Sequence, residues 1–502
     1  MQKVIKNILT SRVYEVAVET PLEDASALSD QLDNRIRLKR EDKQPIFSFK
    51  LRGAYNRMAH LDPGEQKRGV ITASAGNHAQ GVAFAGQKLS IRTLIVMPAT
   101  TPTIKIDAVK GFGGDVVLHG DNYSEAAEYA LELAASNGMV YIHPFDDELV
   151  IAGQGTVADE VLRQNPGQFD AIFVPVGGGG LISGMAAYIK ALRPEIQVIG
   201  VEPDDSDSMA RSLASGKRVT LQHVGAFADG VAVKKVGKLT FDLCRKYVDE
   251  VIRVNTDELC GGIKAVYQAT RSIVEPAGGL AMAGLLKYIY RSGCKGKTLV
   301  AVNSGANMNF ERLRYVAERT GIGENQEALF AVTIPEQPGS LKTFCHDLVG
   351  DRNITEFNYR LSVREKAHIF VGIAIKNEND RKHFHERLLQ SGYQSIDLTD
   401  DELAKTHIRY MVGGRSTIVK RERLFRFWFP ERPGALVDFL DATRGQRNIS
   451  LFHYRAQGGD YGRVLVGLEV PEGDEQELDK RLKELGYRYI EETHNPAYKL
   501  FL

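Results

Sequence analysis

The chain has 502 residues, 43% of them hydrophobic, which is material for roughly three domains at about 150 residues each. Lys plus Arg equals Asp plus Glu at 64 each, so the net charge is zero and no broad polyanion or nucleic-acid surface is indicated. Cys244, Cys260, Cys294 and Cys345 lie far apart with no metal spacing, and read as reduced thiols; no run is long and apolar enough to span a membrane, and the first twenty residues have no signal-peptide core. A cytoplasmic protein is expected.

In chain order, the first notable stretch is Ser48-Phe49-Lys50-Leu51-Arg52-Gly53-Ala54, a lysine between two apolar residues. A lysine becomes a Schiff-base nucleophile when a dry pocket lowers its pKa, although most lysines so flanked open a helix and face water. From Val70 the pattern alternates. Short apolar runs at 69–74, 91–97, 115–118 and 139–142 read as strands, with helices at about 79–86, 102–112 and 123–136 between them. The rhythm resumes with strands at 170–176 and 197–201, a helix at about 181–192, and a late strand at 298–302. Such alternation predicts an α/β fold of parallel sheets, in which ligands bind beyond the carboxyl ends of the strands.

Three breaks fall at those ends: Ser74-Ala75-Gly76-Asn77-His78, Gly177-Gly178-Gly179-Gly180-Leu181 and Asn303-Ser304-Gly305-Ala306-Asn307. The glycine run reads either as a ligand-free tight turn or as a phosphate cradle at a helix N-terminus. It fits a dinucleotide fingerprint only partly, with Glu202 at the distance of the ribose-binding acid. Asn77 alone reads equally as a helix N-cap, and Ser304 as a turn residue. His78 reads as a buried or capped histidine.

Together and in this order, these stretches resemble the fold-type II pyridoxal-phosphate enzymes: serine/threonine dehydratases, serine racemases and cysteine synthase relatives. The resemblance covers residues 1 to about 322 and implies two parallel-sheet αβα subdomains with pyridoxal 5'-phosphate as cofactor. It implies Lys50 as Schiff-base lysine and α-proton base, Asn77 at the cofactor's 3-hydroxyl, and Gly177, Gly178, Gly179, Gly180 and Leu181 at its phosphate. Ser304 is implied at the pyridine nitrogen, where a serine leaves that nitrogen largely unprotonated. The backbone of Ser74, Ala75, Gly76, Asn77 and His78 is implied at the substrate carboxylate. The racemases carry a serine where this chain has Ala75, and a residue without a hydroxyl cannot deliver a proton on the face opposite the lysine. Dehydration is therefore expected over racemisation. Glu275 lies in a family-like stretch without a derivable role. Ala228-Asp229-Gly230 is similar to a loop that binds a divalent cation in some relatives, but no set of oxygen ligands accompanies it, and no metal is expected.

The remainder is an internal repeat. Leu329–Leu341 matches Leu424–Leu436, and Asn353–Arg360 matches Asn448–Arg455, both at an offset of 95. Each copy predicts a ferredoxin-like βαββαβ unit, over 327–399 and 421–502, joined by a helical link at 400–420. A Pro-Gly turn before the first helix of each copy offers N–H groups to a small anion. The copies resemble the ACT-like regulatory domains of biosynthetic threonine dehydratases. That resemblance implies L-threonine as substrate, L-serine as a slower one, isoleucine as inhibitor, valine as its opponent, and a homotetramer. The alternatives are a serine dehydratase or racemase of the same fold, a catalytically dead amino-acid sensor, and a tail that only holds subunits together.

Overall fold

Charged strands are rarely buried, yet the frame of the catalytic region is built on one. The computed structural model describes residues 2–501 except 325, 336–342, 345–347, 350–351, 361–365, 411–418, 420, 431–434, 444–447 and 456–460. The described residues form two compact units, which part between Ala317 and Glu318.

In the first unit the strands are β1 (Leu22–Asp24), β2 (Arg35–Arg40), β3 (Val70–Ala73), β4 (Thr93–Met97), β5 (Asp115–Leu118), β6 (Val140–Tyr141), β7 (Ala171–Pro175), β8 (Gln197–Pro203), β9 (Glu250–Val254) and β10 (Thr298–Asn303). They make a parallel four-stranded sheet, β5-β4-β3-β6, and a six-stranded sheet, β1-β2-β10-β7-β8-β9, parallel except for edge strand β1. β1, β2 and β9 were not foreseen. β2 reads Arg-Ile-Arg-Leu-Lys-Arg, and beyond the exposed Arg35 its charges, Arg37, Lys39 and Arg40, are buried rather than solvated.

Their partners explain this. Lys39 Nζ donates to Glu160 Oε2 and to Thr20 O, each at 2.5 Å. The Arg52 guanidinium meets both oxygens of Glu41 at 2.8 Å and Glu160 Oε1 at 2.6 Å. All four of these ionic side chains are fully buried. Burial alone would raise the Glu41 carboxyl, but Arg52 and Lys39 more than offset it and hold it below the usual range. The network ties strand β2 to the helices Lys50–Ala59 and Glu148–Gln164. Those helices touch where Gly153 faces Gly53. A Cβ on Gly153 would lie 2.6 Å from Arg52 O and 2.8 Å from Gly53 Cα, so only glycine permits the approach.

The second unit holds β11 (Glu327–Pro335), β12 (Ile354–Arg360), β13 (Lys366–Ala374), β14 (Gln394–Asp397), β15 (Glu422–Pro430), β16 (Asn448–Arg455), β17 (Tyr461–Glu469) and β18 (Tyr489–Glu491). They form two antiparallel sheets of identical order, β12-β13-β11-β14 and β16-β17-β15-β18. Each carries a register shift at the matching place, Ile354/Glu356 and Ile449/Leu451. The second helices are Glu378–Gln390 and Glu475–Leu485. The first helix of the second copy is Ala435–Ala442, whereas most of its counterpart at 340–349 and both Pro-Gly turns lie outside the described residues.

The repeat runs further than the sequence indicated. Leu329 N donates to Thr399 Oγ1 and Leu424 N to Thr493 Oγ1, both at 3.0 Å. The helices Glu402–Thr406 and Pro496–Phe501 then follow at equivalent positions. Residues 402–410 are thus the closing element of the first copy rather than a link alone. Leu403, Ala404 and Ile408 pack with Ala497, Tyr498 and the sheet residues Leu329, Phe370, Leu424 and Leu465 in one buried cluster.

Replacing Arg52 by Met would leave Glu41 and Glu160 buried and short of a partner. The expected loss is about 3–5 kcal/mol, read as a lower melting temperature of the catalytic unit in calorimetry; an unchanged transition would contradict this account of the network.

Candidate active site

All three sequence breaks lie at carboxyl ends of parallel strands: 74–78 after β3, 177–181 after β7 and 303–307 after β10. Hydrogen bonds join the last of them to the Lys50 stretch. Phe49 N donates to Ser304 O at 3.2 Å, Ala306 N to Phe47 O at 2.9 Å, and Ser48 forms an isolated bridge with Gly305. Lys50 is thereby held beside the turn after β10, at the start of its helix.

Lys50 does not simply face water. Its Nζ donates to Pro144 O at 3.1 Å. Burial pulls its pKa down to about 8, against the opposing charge of Glu275. An amine in this state is partly neutral near neutrality and can act as nucleophile or base.

The residues after Pro144 hold the glycine run. A Cβ on Gly178 would fall 2.2 Å from the Phe145 ring, and Gly179 has a φ of +94° at the head of the helix Gly180–Leu192. Thr240 Oγ1 donates to Gly178 O at 2.7 Å, and Asp146 accepts from the N–H groups of Lys238, Leu239 and Thr240. Ser183 N donates to Gly179 O at 3.0 Å, and among the described residues the N–H groups of 177–182 have no backbone acceptor. That is an anion cradle at a helix N-terminus. Glu202 does not serve it as a ribose-binding acid, because its two oxygens accept from Met209 N and Ala210 N at 2.9 and 2.8 Å.

Asn77 does not cap its helix. Its Nδ2 donates to Glu275 Oε1 at 2.5 Å and its Oδ1 accepts from Asn307 Nδ2 at 2.6 Å. In the same turn Ser74 N is used by Val96 O and Gly76 N by Ser74 Oγ. Among the described residues the N–H groups of Ala75, Asn77 and His78 have no backbone acceptor. Burial and the Lys50 charge drive His78 down to about 3, so its ring is neutral, with Nε2 against Ile142 O at 3.1 Å. Ser304 is buried, its Oγ donating to Ala277 O at 3.1 Å.

Glu275, Asn307, Pro144, Phe145 and Thr240 are site residues that no motif assigned. Glu275 and Asn307 stood inside quoted stretches; the others gave no signal. Burial, then Asp229, pushes the Glu275 carboxyl up to about 7, against its hydrogen bond from Asn77. Asp229 is engaged by Lys105 at 2.5 Å and Arg312 at 3.1 Å, which hold it well below the usual carboxylate range despite burial. Among the described residues no group of three acidic, histidine or cysteine side chains is placed to hold a metal.

A family model described as pyridoxal-phosphate dependent enzyme matches residues 14–305, and one described as the C-terminal regulatory domain of threonine dehydratase matches 318–408 and 413–502. The biosynthetic L-threonine dehydratase of Burkholderia multivorans is 58% identical over 99% of both chains; that of Escherichia coli is 51% identical over 99% of this chain and 96% of its own. The chain belongs to the biosynthetic threonine dehydratase family. Among solved structures, the processed threonine deaminase isoform 2 of Solanum lycopersicum aligns at a TM-score of 0.63 with 51% identity, over 64% of this chain and 93% of that one. Maize serine racemase aligns at 0.59 with 32% identity, over 63% and 96%. The fold of the catalytic region is therefore shared by lyases and racemases.

The family's cofactor is pyridoxal phosphate, and the residues present fit it: a buried amine of lowered pKa, and an N–H cradle in which a Cβ on Gly178 would strike Phe145. Only a neutral amine adds to an aldehyde, so the rate at which the apoenzyme captures the cofactor should rise with pH and level off with a midpoint near 8. Stopped-flow absorbance checks this; a rate still climbing at the ordinary lysine pKa of about 10.4 would contradict it.

Proposed function

We propose that this chain converts L-threonine to 2-oxobutanoate and ammonia by β-elimination, as the first committed step of isoleucine synthesis. The observation that carries this reading is end-to-end similarity to biosynthetic threonine dehydratases, catalytic region and doubled regulatory tail together.

When bound, pyridoxal phosphate supplies a ring that takes up electron density from the substrate's Cα. Lys50 would hold the cofactor through its Nζ, and the same amine is placed to take the α-proton of the substrate as a general base. The lowered pKa supports that role, because a free amine is needed at neutral pH. The N–H groups of Gly177, Gly178, Gly179, Gly180 and Leu181 bind the phosphate, and Asn77 holds the ring oxygen. Ser304 stands at the ring nitrogen. The N–H groups of Ala75, Asn77 and His78 orient the substrate carboxylate, with Ser74 and Gly76 shaping that turn. Ala75 offers no proton on the face opposite Lys50, which favours elimination of the hydroxyl over racemisation. L-Serine is a slower substrate.

Residues 1–322 form the catalytic part. The copies at 327–399 and 421–502, with the segment between them, sense an amino acid: isoleucine inhibits and valine opposes it. Regulation of this kind requires only that the effector bind one of two states more tightly. The protein works as a cytoplasmic homotetramer; among the described residues no helix is long and apolar enough to cross a membrane.

Purified protein should release 2-oxobutanoate from L-threonine, isoleucine should suppress the release, and Lys50→Ala should abolish it. Lys50-dependent turnover indifferent to isoleucine would remove the effector assignment, and turnover of serine without threonine would overturn the substrate.

A further inference from the structure

A carbonyl oxygen only accepts, so Ile46 O sets the direction of a hydrogen-bond chain that runs into the site. Asn307 Nδ2 donates to Ile46 O at 2.9 Å and to Asn77 Oδ1 at 2.6 Å, which uses both of its hydrogens. Asn77 therefore presents Nδ2 on its other side, where it donates to Glu275 Oε1 at 2.5 Å. A reversed Asn77 amide would set nitrogen against nitrogen at Asn307 and oxygen against a carboxylate at Glu275. One Nδ2 hydrogen of Asn77 is left, and it has no acceptor among the described residues.

We propose that Glu275 is a positioning residue: it clamps the Asn77 amide so that the remaining N–H is aimed at the cofactor's ring oxygen. This rests on the assignment of Asn77 to that oxygen. A purely structural role is a poor account of the side chain. Glu275 occupies the N-cap position of the helix Pro276–Ser292, yet its carboxyl does not cap that helix. It is buried, and a Cβ on Gly305 would lie 2.5 Å from its Oε1, so the turn after β10 leaves room for it. The charged groups that act on it or feel it are Lys50, Lys105 of the helix Thr103–Gly111, Asp229 of the turn 229–231 and Arg312 of the helix Arg312–Gly323. Its rise to about 7 places its change of charge, and hence of acceptor strength, in the neutral range.

The test uses holoenzyme, its visible absorption band recorded from about pH 6 to 9, a range that brackets an unperturbed histidine and a thiol, and cofactor retention measured after gel filtration. Glu275→Leu should move the band and weaken retention about tenfold, the effect of losing a hydrogen bond to a charged group. Glu275→Gln keeps an acceptor without a charge; it should retain the band and lose the wild-type change through neutrality. Asn77→Ala should move the band as Glu275→Leu does. A Glu275→Leu enzyme with wild-type spectrum and retention, beside a shifted Asn77→Ala, would overturn the Glu275 role alone. Wild-type spectra in both would overturn the assignment of Asn77 as well. Should Glu275→Leu fail to fold, a Glu275→Gln enzyme whose band responds to pH as the wild type does would overturn the proposal.

Discussion

The guanidinium of Arg52, shared between Glu41 and Glu160 in a fully buried network, is the contact on which the catalytic region turns. Buried ion pairs contribute little net stability over apolar packing, but breaking one is strongly destabilising, so they fix arrangement. Here the fixed object is the helix Lys50–Ala59. Arg52 follows Lys50 by two residues, about 200° around the helix. One side of the first turn is thus anchored in the network while the other carries the amine to the cleft. The approach of Gly53 and Gly153 removes the remaining freedom of the two helices to slide.

The electrostatics of the cleft follow from how little unneutralised charge it holds. Asp229 is balanced by Lys105 and Arg312, His78 is neutral, and Glu275 titrates near neutrality rather than in the acid range. Burial lowers the pKa of the Lys50 ammonium to about 8 against the opposing charge of Glu275, so a fraction of the amine is free near neutrality for nucleophilic and basic work. The parts proposed to bind anions are backbone N–H groups at two strand-to-helix turns, which bring polarity without adding side chains that titrate. Site and frame therefore divide the labour: ionic pairs beneath the helix, dipoles and one amine above it.

Where glycine and serine interrupt apolar runs, the sequence is informative, because a parallel strand must end where such residues begin. That is why Ser74–His78, Gly177–Leu181 and Asn303–Asn307 could be placed before any coordinates. Glu275 could not be given a role, because its partner Asn77 is 198 residues away and the bond between them exists only once both sheets are assembled. β2 was unreadable for another reason: Arg37, Lys39 and Arg40 look like a solvated surface until their distant acidic partners are known. The repeat showed through its identical Leu, Pro-Gly and Tyr positions. Its closing helix did not, since Glu402–Thr406 and Pro496–Phe501 share a place but almost no residues.

The central claim is that Lys50 carries the cofactor. Borohydride reduction of the holoenzyme fixes the Schiff-base bond as a stable secondary amine, and peptide mass spectrometry then locates the modified lysine. The account predicts the pyridoxyl group on Lys50 alone, with the label absent from Lys39 and Lys105. A label on any other lysine, with Lys50 unmodified, would contradict it.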